Sequence, residues 1–150
     1  MHTLIMFIAT GCYSGYLPKA PGTWGTLVGL VLFLLLHGLS LPVYLFVVAG
    51  LFFVGSFAAG EAEKILDTRD PGSVVIDEIV GMLITMVAVP MTPLTMALGF
   101  ALFRIFDIVK PFPVNFFDQR FHGGLGIMLD DVVAGIYSLA ILQLIVSLLL

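Results

Sequence analysis

The sequence predicts an all-α fold, a polytopic helical membrane protein with about five membrane-embedded helices. Three observations predict it. Of 150 residues, 60% are hydrophobic and 11% charged, whereas a soluble domain is about 45–50% apolar and about 25% charged. No Asp, Glu, Lys or Arg occurs between Lys19 and Glu61, from Ile79 to Phe103, or from Val132 to Leu150. Turn signals divide the first two of these stretches. So few charges cannot cover a water-facing surface, which excludes a soluble globular domain and a disordered chain. Cys12 is alone and glycine has no period, which excludes disulfide scaffolds and collagen-like chains. Six basic residues against ten acidic ones leave no footprint for nucleic acid. Residues 1–150 read as a single membrane-embedded domain.

The apolar start, Met1 to Ala9, lacks the basic head of a signal sequence, and no cleavage pattern follows, so it is expected to be retained. A membrane span needs about 20 residues, so the first charge-free stretch is too long for one. His37-Gly38-Leu39-Ser40-Leu41-Pro42 reads as a turn, with Ser40 as N-cap and Pro42 close behind it. That places one helix at about Trp24 to His37 and the next at about Leu41 to Lys64. In Pro90-Met91-Thr92-Pro93, Pro90 cannot continue a helix, Thr92 can cap one, and Pro93 suits its first turn. Helices are therefore expected at about Val74 to Val89 and Pro93 to Val109. The last runs from about Leu129 to Leu150.

Five alternating crossings put every Lys and Arg on one side, which the positive-inside rule makes cytoplasmic. The loops around Lys19, Arg69 and Arg120 then lie inside and Leu150 outside. The alternative joins Val74 to Val109 into one kinked span and separates Asp77 from Asp107 across the bilayer. The first, third and fourth helices are short for a full span.

The chemistry lies in carboxylates. Half of the ten acids fall in three short motifs, VIDEIVG (75–81 with Val75 first), FRIFDIVKPFPV (103–114) and GGLGIMLDDVVAG (123–135). Asp77, Glu78, Asp130 and Asp131 are embedded in apolar runs, where a carboxylate is costly unless neutralised. If they converge with Asp107 they repel one another, and a divalent cation resolves the conflict. An oxygen-only donor set suits Mg²⁺ or Mn²⁺ rather than Zn²⁺. The alternative for Asp130 and Asp131 is that they cap a helix N-terminus. That alternative is poorer for Asp107, near a helix C-terminus, where the macrodipole disfavours an anion.

Arg104, Asp107 and Lys110 recur at i, i+3 and i+6. They form either a surface ion-pair ladder, worth about 0.3–0.5 kcal/mol per pair, or a grip on an anion beside Asp107. Before the first long helix, Gly22 and Gly25 permit close approach to uncapped backbone N–H groups, a setting that suits phosphate. Lys19 adds charge and Thr23 and Thr26 add hydroxyls, though a plain capped loop fits equally. Gly25 and Gly29 could instead form a helix-packing face. Trp24 marks a membrane interface or a stacking surface.

Together PGTWGT, VIDEIVG, FRIFDIVKPFPV and GGLGIMLDDVVAG resemble the phosphatidylglycerophosphatase A family. The resemblance implies an all-helical, Mg²⁺-dependent enzyme of the bacterial inner membrane. Its reaction would convert phosphatidylglycerophosphate to phosphatidylglycerol and inorganic phosphate at the cytoplasmic face. On that reading Asp77, Glu78, Asp107, Asp130 and Asp131 supply the metal ligands. Lys19, Gly22, Thr23, Trp24, Gly25, Thr26, Arg104 and Lys110 hold the substrate. Glu78 or Asp131 serves as general base, and Arg104 and Lys110 offset phosphoryl charge. The competing class is a cation transporter or channel, whose acids would lie at midplane depth rather than at helix mouths.

Overall fold

Helix starts follow the prolines and hydroxyls. Pro21, Pro42 and Pro93 each sit in the first turn of a helix, where an absent N–H leaves no bond unmade. Thr92 makes a reciprocal cap: its hydroxyl accepts from the Thr95 N–H, and the Thr95 hydroxyl accepts from the Thr92 N–H, both at 3.1 Å. The computed structural model describes residues 1–113 and 123–149. Among them are six α-helices and no strand. They are α1 (His2–Ala9), α2 (Pro21–Leu36), α3 (Leu41–Leu66), α4 (Ile76–Thr85), α5 (Pro93–Val109) and α6 (Gly123–Leu149). A single 3-10 turn, Ser14–Tyr16, lies between α1 and α2.

The bounds of α2, α3 and α5 follow the sequence expectation closely. Ser40 holds the N-cap position of α3 but makes no side-chain capping bond. Two helices differ. α4 ends at Thr85 rather than Val89, because the chain turns through Met86 to Ala88 and Ala88 adopts a left-handed conformation (φ 54°). α6 starts at Gly123, six residues before the expected Leu129. Gly124 is not a turn residue but a contact: a Cβ there would overlap the Ser56 carbonyl oxygen of α3.

α4 has ten residues and is the centre of the bundle; seven of them are buried. It packs against α2, α3, α5 and α6. Glycines set these approaches. Gly25 and Gly29 of α2 face Val75, Ile79 and Met82, so the Gly25–Gly29 pair is a packing face.

The helices alternate in direction. At one end the start of α2 meets the start of α4 and the C-terminal part of α5, with Gly22 beside Glu78 and Arg104. At the other end the turns after α2 and α4 share a cavity of about 280 Å³, lined by Phe33, His37, Tyr44, Met86 and Met91 among others. The kinked-span alternative is thereby overturned: α4 and α5 form a hairpin, and Asp107 lies at the Glu78 end.

α3 and α6 are long and apolar enough to cross a membrane. Their most apolar windows are only 22% and 28% buried, the reverse of a core helix in a soluble protein. The expected count of about five spans is not matched by length. At about 1.5 Å per residue, α2 and α5 reach only about 24–25 Å and α4 about 15 Å, against a hydrocarbon core of about 30 Å. α4 is too short to cross. Arg120 and Leu150, used in the expected topology, lie outside the described residues.

Candidate active site

Asp77 and Glu78 open α4, and Asp131 lies in the third turn of α6. Each of the two Asp residues is followed four positions later by a glycine, Gly81 and Gly135. Four residues is one helical turn, so acid and glycine share a face. A Cβ on Gly135 would lie 2.6 Å from the Gly81 carbonyl oxygen. The missing side chains let α4 and α6 touch, and the acids one turn away meet. This repeated Asp-x-x-x-Gly spacing was in the sequence, but nothing there paired the two glycines.

Asp77, Glu78 and Asp131 each place a carboxylate oxygen within 4.8 Å of the others. Asp77 Oδ1, Glu78 Oε2 and Asp131 Oδ2 are shut off from solvent and have no hydrogen-bond partner among the described residues. Three orphaned buried carboxylate oxygens, with no sulfur or imidazole beside them, match the donor set of a hard divalent cation. Burial, then the neighbouring Glu78 and Asp131 carboxylates, hold Asp77 well above the usual carboxylate range. Burial raises Glu78 as well, and the adjacent Asp77 partly offsets the rise.

The other two motif acids are engaged by cations. Asp107 pairs with Arg104 through Oδ2 and Nη1. Asp130 Oδ2 accepts from Lys110 Nζ at 2.7 Å. Neither pair is a surface ladder: the Arg104 and Asp107 side chains are 16% and 14% exposed, and Asp130 is 8%. Asp107 still acts electrostatically on Glu78 and Asp131, so the five acids do converge at one end. Asp130 and Asp131 do not cap α6, which begins two turns earlier.

The α2 start is divided in its contributions. Gly22 faces the site: a Cβ would overlap Glu78 Oε1 and stand 2.9 Å from Arg104 Nη1. Ala20, at the N-cap, gives no side-chain cap; Pro21 has no N–H, and the Thr23 N–H donates to the Ala20 carbonyl at 2.9 Å. Gly25 instead packs on Val75. The buried Thr26 hydroxyl is committed to the Gly22 carbonyl at 2.8 Å, so it does not offer a free donor. Thr23 is half-buried and Lys19 exposed. Trp24 is exposed and its ring N–H donates to the Pro18 carbonyl at 3.4 Å, as an interface residue would. Outside the cluster, Glu63 Oε1 accepts from the Asp70 N–H at 2.8 Å.

The described helices form an apolar-walled bundle with a carboxylate cluster and two cationic side chains at one end, the build of a membrane-type helical protein. Acids gathered at one end, not spaced along the bundle, run against a transport pathway. Comparison with known proteins narrows the class. The profile of the family described as phosphatidylglycerophosphatase A matches residues 7–146. Phosphatidylglycerophosphatase A of Haemophilus influenzae is 41% identical over 139 residues, covering 91% of this chain and 85% of its own. That of Escherichia coli is 40% identical over 139 residues, covering 92% and 81%. A Bacteroides thetaiotaomicron protein, provisionally named a phosphatidylinositol-3-phosphatase, is 42% identical over 142 residues, covering 90% and 89%. No solved structure matches. The chain belongs to the phosphatidylglycerophosphatase A family.

Proposed function

We infer that this chain removes the terminal phosphate of phosphatidylglycerophosphate, releasing phosphatidylglycerol and inorganic phosphate, with Mg²⁺ as its cofactor. The observation that carries the reading is the cluster of three orphaned carboxylate oxygens beside Arg104 and the α2 start. Family membership supplies the substrate class.

Asp77, Glu78 and Asp131 would hold the cation, which would polarise phosphoryl oxygens and acidify a water. Glu78 faces two ways. Its Oε2 lies in the acid cluster, and its Oε1 lies against Gly22 and Arg104. It is also less buried than Asp131, so we assign it the general-base role: it takes the proton of the attacking water. Arg104 offers a planar fork for the phosphate oxygens, and Gly22 at the start of α2 leaves room for the anion beside it. Lys110 sits one step out, paired with Asp130, and adds a point charge.

The site lies at the edge of the apolar layer. From Val132 to Leu149, α6 runs about 27 Å, close to one hydrocarbon thickness. Asp131 therefore sits where lipid headgroups lie, and the Lys and Arg distribution supports the cytoplasmic face of the bacterial inner membrane.

The test is phosphate release by purified protein from phosphatidylglycerophosphate, with and without Mg²⁺. Phosphatidylinositol 3-phosphate serves as the competing substrate, since both are lipid phosphomonoesters. Metal-dependent release that favours phosphatidylglycerophosphate is expected. Equal or greater release from the inositol lipid would reassign the headgroup, and release unaffected by a chelator would remove the cation.

A further inference from the structure

Beside the site, on the lipid-facing side of the bundle, α3 and α6 part to leave an apolar groove. Its volume is about 330 Å³, and its walls include Leu45, Ala49 and Phe52 of α3, Ile84 of α4, and Leu129 and Val132 of α6. Nothing in the site chemistry uses it.

Its ends can be placed from contacts. At the upper end, Gly55 approaches Ile76 and Met128, with a Cβ lying 2.8 Å and 3.1 Å from them. Leu129 is therefore level with Asp77, the neighbour of Ile76, and Phe52 lies about one helical turn deeper than Gly55. At the lower end, the Tyr44 hydroxyl donates to the Leu83 carbonyl at 2.7 Å, which sets Leu45 level with Ile84. The groove thus starts at the depth of the carboxylates and descends about 10 Å into the apolar layer, the rise from Leu45 to Phe52. The site and the groove draw on the same two helices, α4 and α6. Leu129 and Val132 bracket Asp130 and Asp131, and Ile84 lies two turns below Asp77 on the same face of α4.

We propose that this groove takes one acyl chain of the lipid whose phosphate is bound at the acid cluster. The proposal rests on the phosphatase reading and deepens it. A phosphomonoester held at Asp77 and Asp131 leaves its glycerol backbone at the level of Leu129. The chain then needs an apolar path running away from the site, parallel to the helices. The groove has that direction, that starting depth and no charged or polar wall. Ala49 provides its width: larger side chains flank it on α3, and a methyl group leaves the space between them open.

The experiment uses the full chain with a bulky group at Ala49. Ala49 is exposed, so Ala49→Phe fills the groove without entering the core. Ala101→Phe adds the same ring to an exposed position of α5 and is the control. Two substrates are compared in the same mixed micelles, phosphatidylglycerophosphate with long chains and with six-carbon chains. Ala49→Phe should raise KM for the long-chain substrate about tenfold with kcat retained, the loss expected for about two buried methylenes. It should leave the six-carbon substrate, and Ala101→Phe both substrates, unchanged. Equal effects on the two substrates, or behaviour matching Ala101→Phe, would overturn the proposal and show a groove filled by bulk lipid.

A wild-type chain that releases phosphate from neither substrate would refute the activity instead. Photolabelling by phosphatidylglycerophosphate with a mid-chain diazirine then decides the groove. Label concentrated on residues 45–53 and 129–132, and lost in Ala49→Phe, supports it. Label spread over all lipid-facing helices overturns it.

Discussion

The two ends of the bundle satisfy their polar groups in opposite ways. At the far end neutral groups bond to backbone: Tyr44 to Leu83, Gln143 to Val87 at 2.9 Å, and Thr95 to the Pro90 carbonyl. Each donor there has an acceptor, as an apolar medium demands. At the site end, charged oxygens of Asp77, Glu78 and Asp131 are buried without a partner. The far end is built for stability. The site end carries an electrostatic cost when its carboxylates are ionised, which protonation or a bound cation would offset. Polar groups left unsatisfied by the fold are therefore where a ligand belongs.

The sharpest way to break this contrast is to neutralise the cluster. Asp77→Asn and Asp131→Asn should each lower phosphate release on the order of 10²–10³-fold or more. Both should also unfold at a higher temperature than wild type without metal, because like charges have been removed. The sign follows from the raised Asp77 pKa. Below about pH 4 the residue is neutral in folded and unfolded chains alike. As pH rises toward its folded pKa, the unfolded chain ionises first, and the metal-free fold loses stability. Thermal unfolding against pH with chelator present should show that slope in wild type and a flatter one in Asp77→Asn. Identical slopes would mean that Asp77 carries no such cost.

Next in size is the anion grip. Arg104→Lys keeps charge but loses the planar fork, and kcat/KM should fall on the order of tenfold to 10²-fold. Lys110→Arg should be milder. Asp67→Asn is the control, since Asp67 is exposed and its left-handed conformation (φ 48°) suits Asn. Glu63 is unsuitable because it holds the Asp70 amide. If Arg104→Lys matches Asp67→Asn, the guanidinium does not touch phosphate.

Glycines separate site from scaffold. Gly22→Ala meets the flexible tips of Glu78 and Arg104, so activity should drop several-fold with little change in melting temperature. Gly25→Ala meets Val75 Cβ at 2.6 Å and its carbonyl oxygen at 3.1 Å, which are not free to move. It should lose about 1–3 kcal/mol of stability. Gly38→Ala, at the far end with nothing within 4 Å, should change neither. A Gly22→Ala protein that melts early but turns over normally would place Gly22 with the scaffold.

The smallest effect belongs to the far end. Tyr44→Phe removes one buried bond and should cost about 1 kcal/mol with activity intact. Chemical unfolding in detergent reads the first and phosphate release the second.

The sequence by itself determined the helical class, the end of α2, the bounds of α3 and α5, the candidate acids and basic residues, and the family. These are local or compositional signals: prolines at first turns, the Thr92 cap, and charges set in apolar runs. Tertiary structure alone decided the rest. The sequence starts the last helix at about Leu129, whereas α6 begins at Gly123, and Gly124 lies too close to the Ser56 carbonyl to carry a side chain. Arg104 and Asp107 were legible as an i, i+3 pair on one helix. Only the packed helices show that Lys110 of α5 reaches Asp130 of α6, and that the Gly81–Gly135 contact brings Asp77 and Asp131 together. The ten-residue α4 lies at the centre because all four of its neighbours cover it, and no periodicity within those ten residues records that. A carboxylate's role depends on which charges lie within a few ångströms of it; spacing along one helix sets that for Asp107, and packing between helices sets it for Asp77, Asp130 and Asp131.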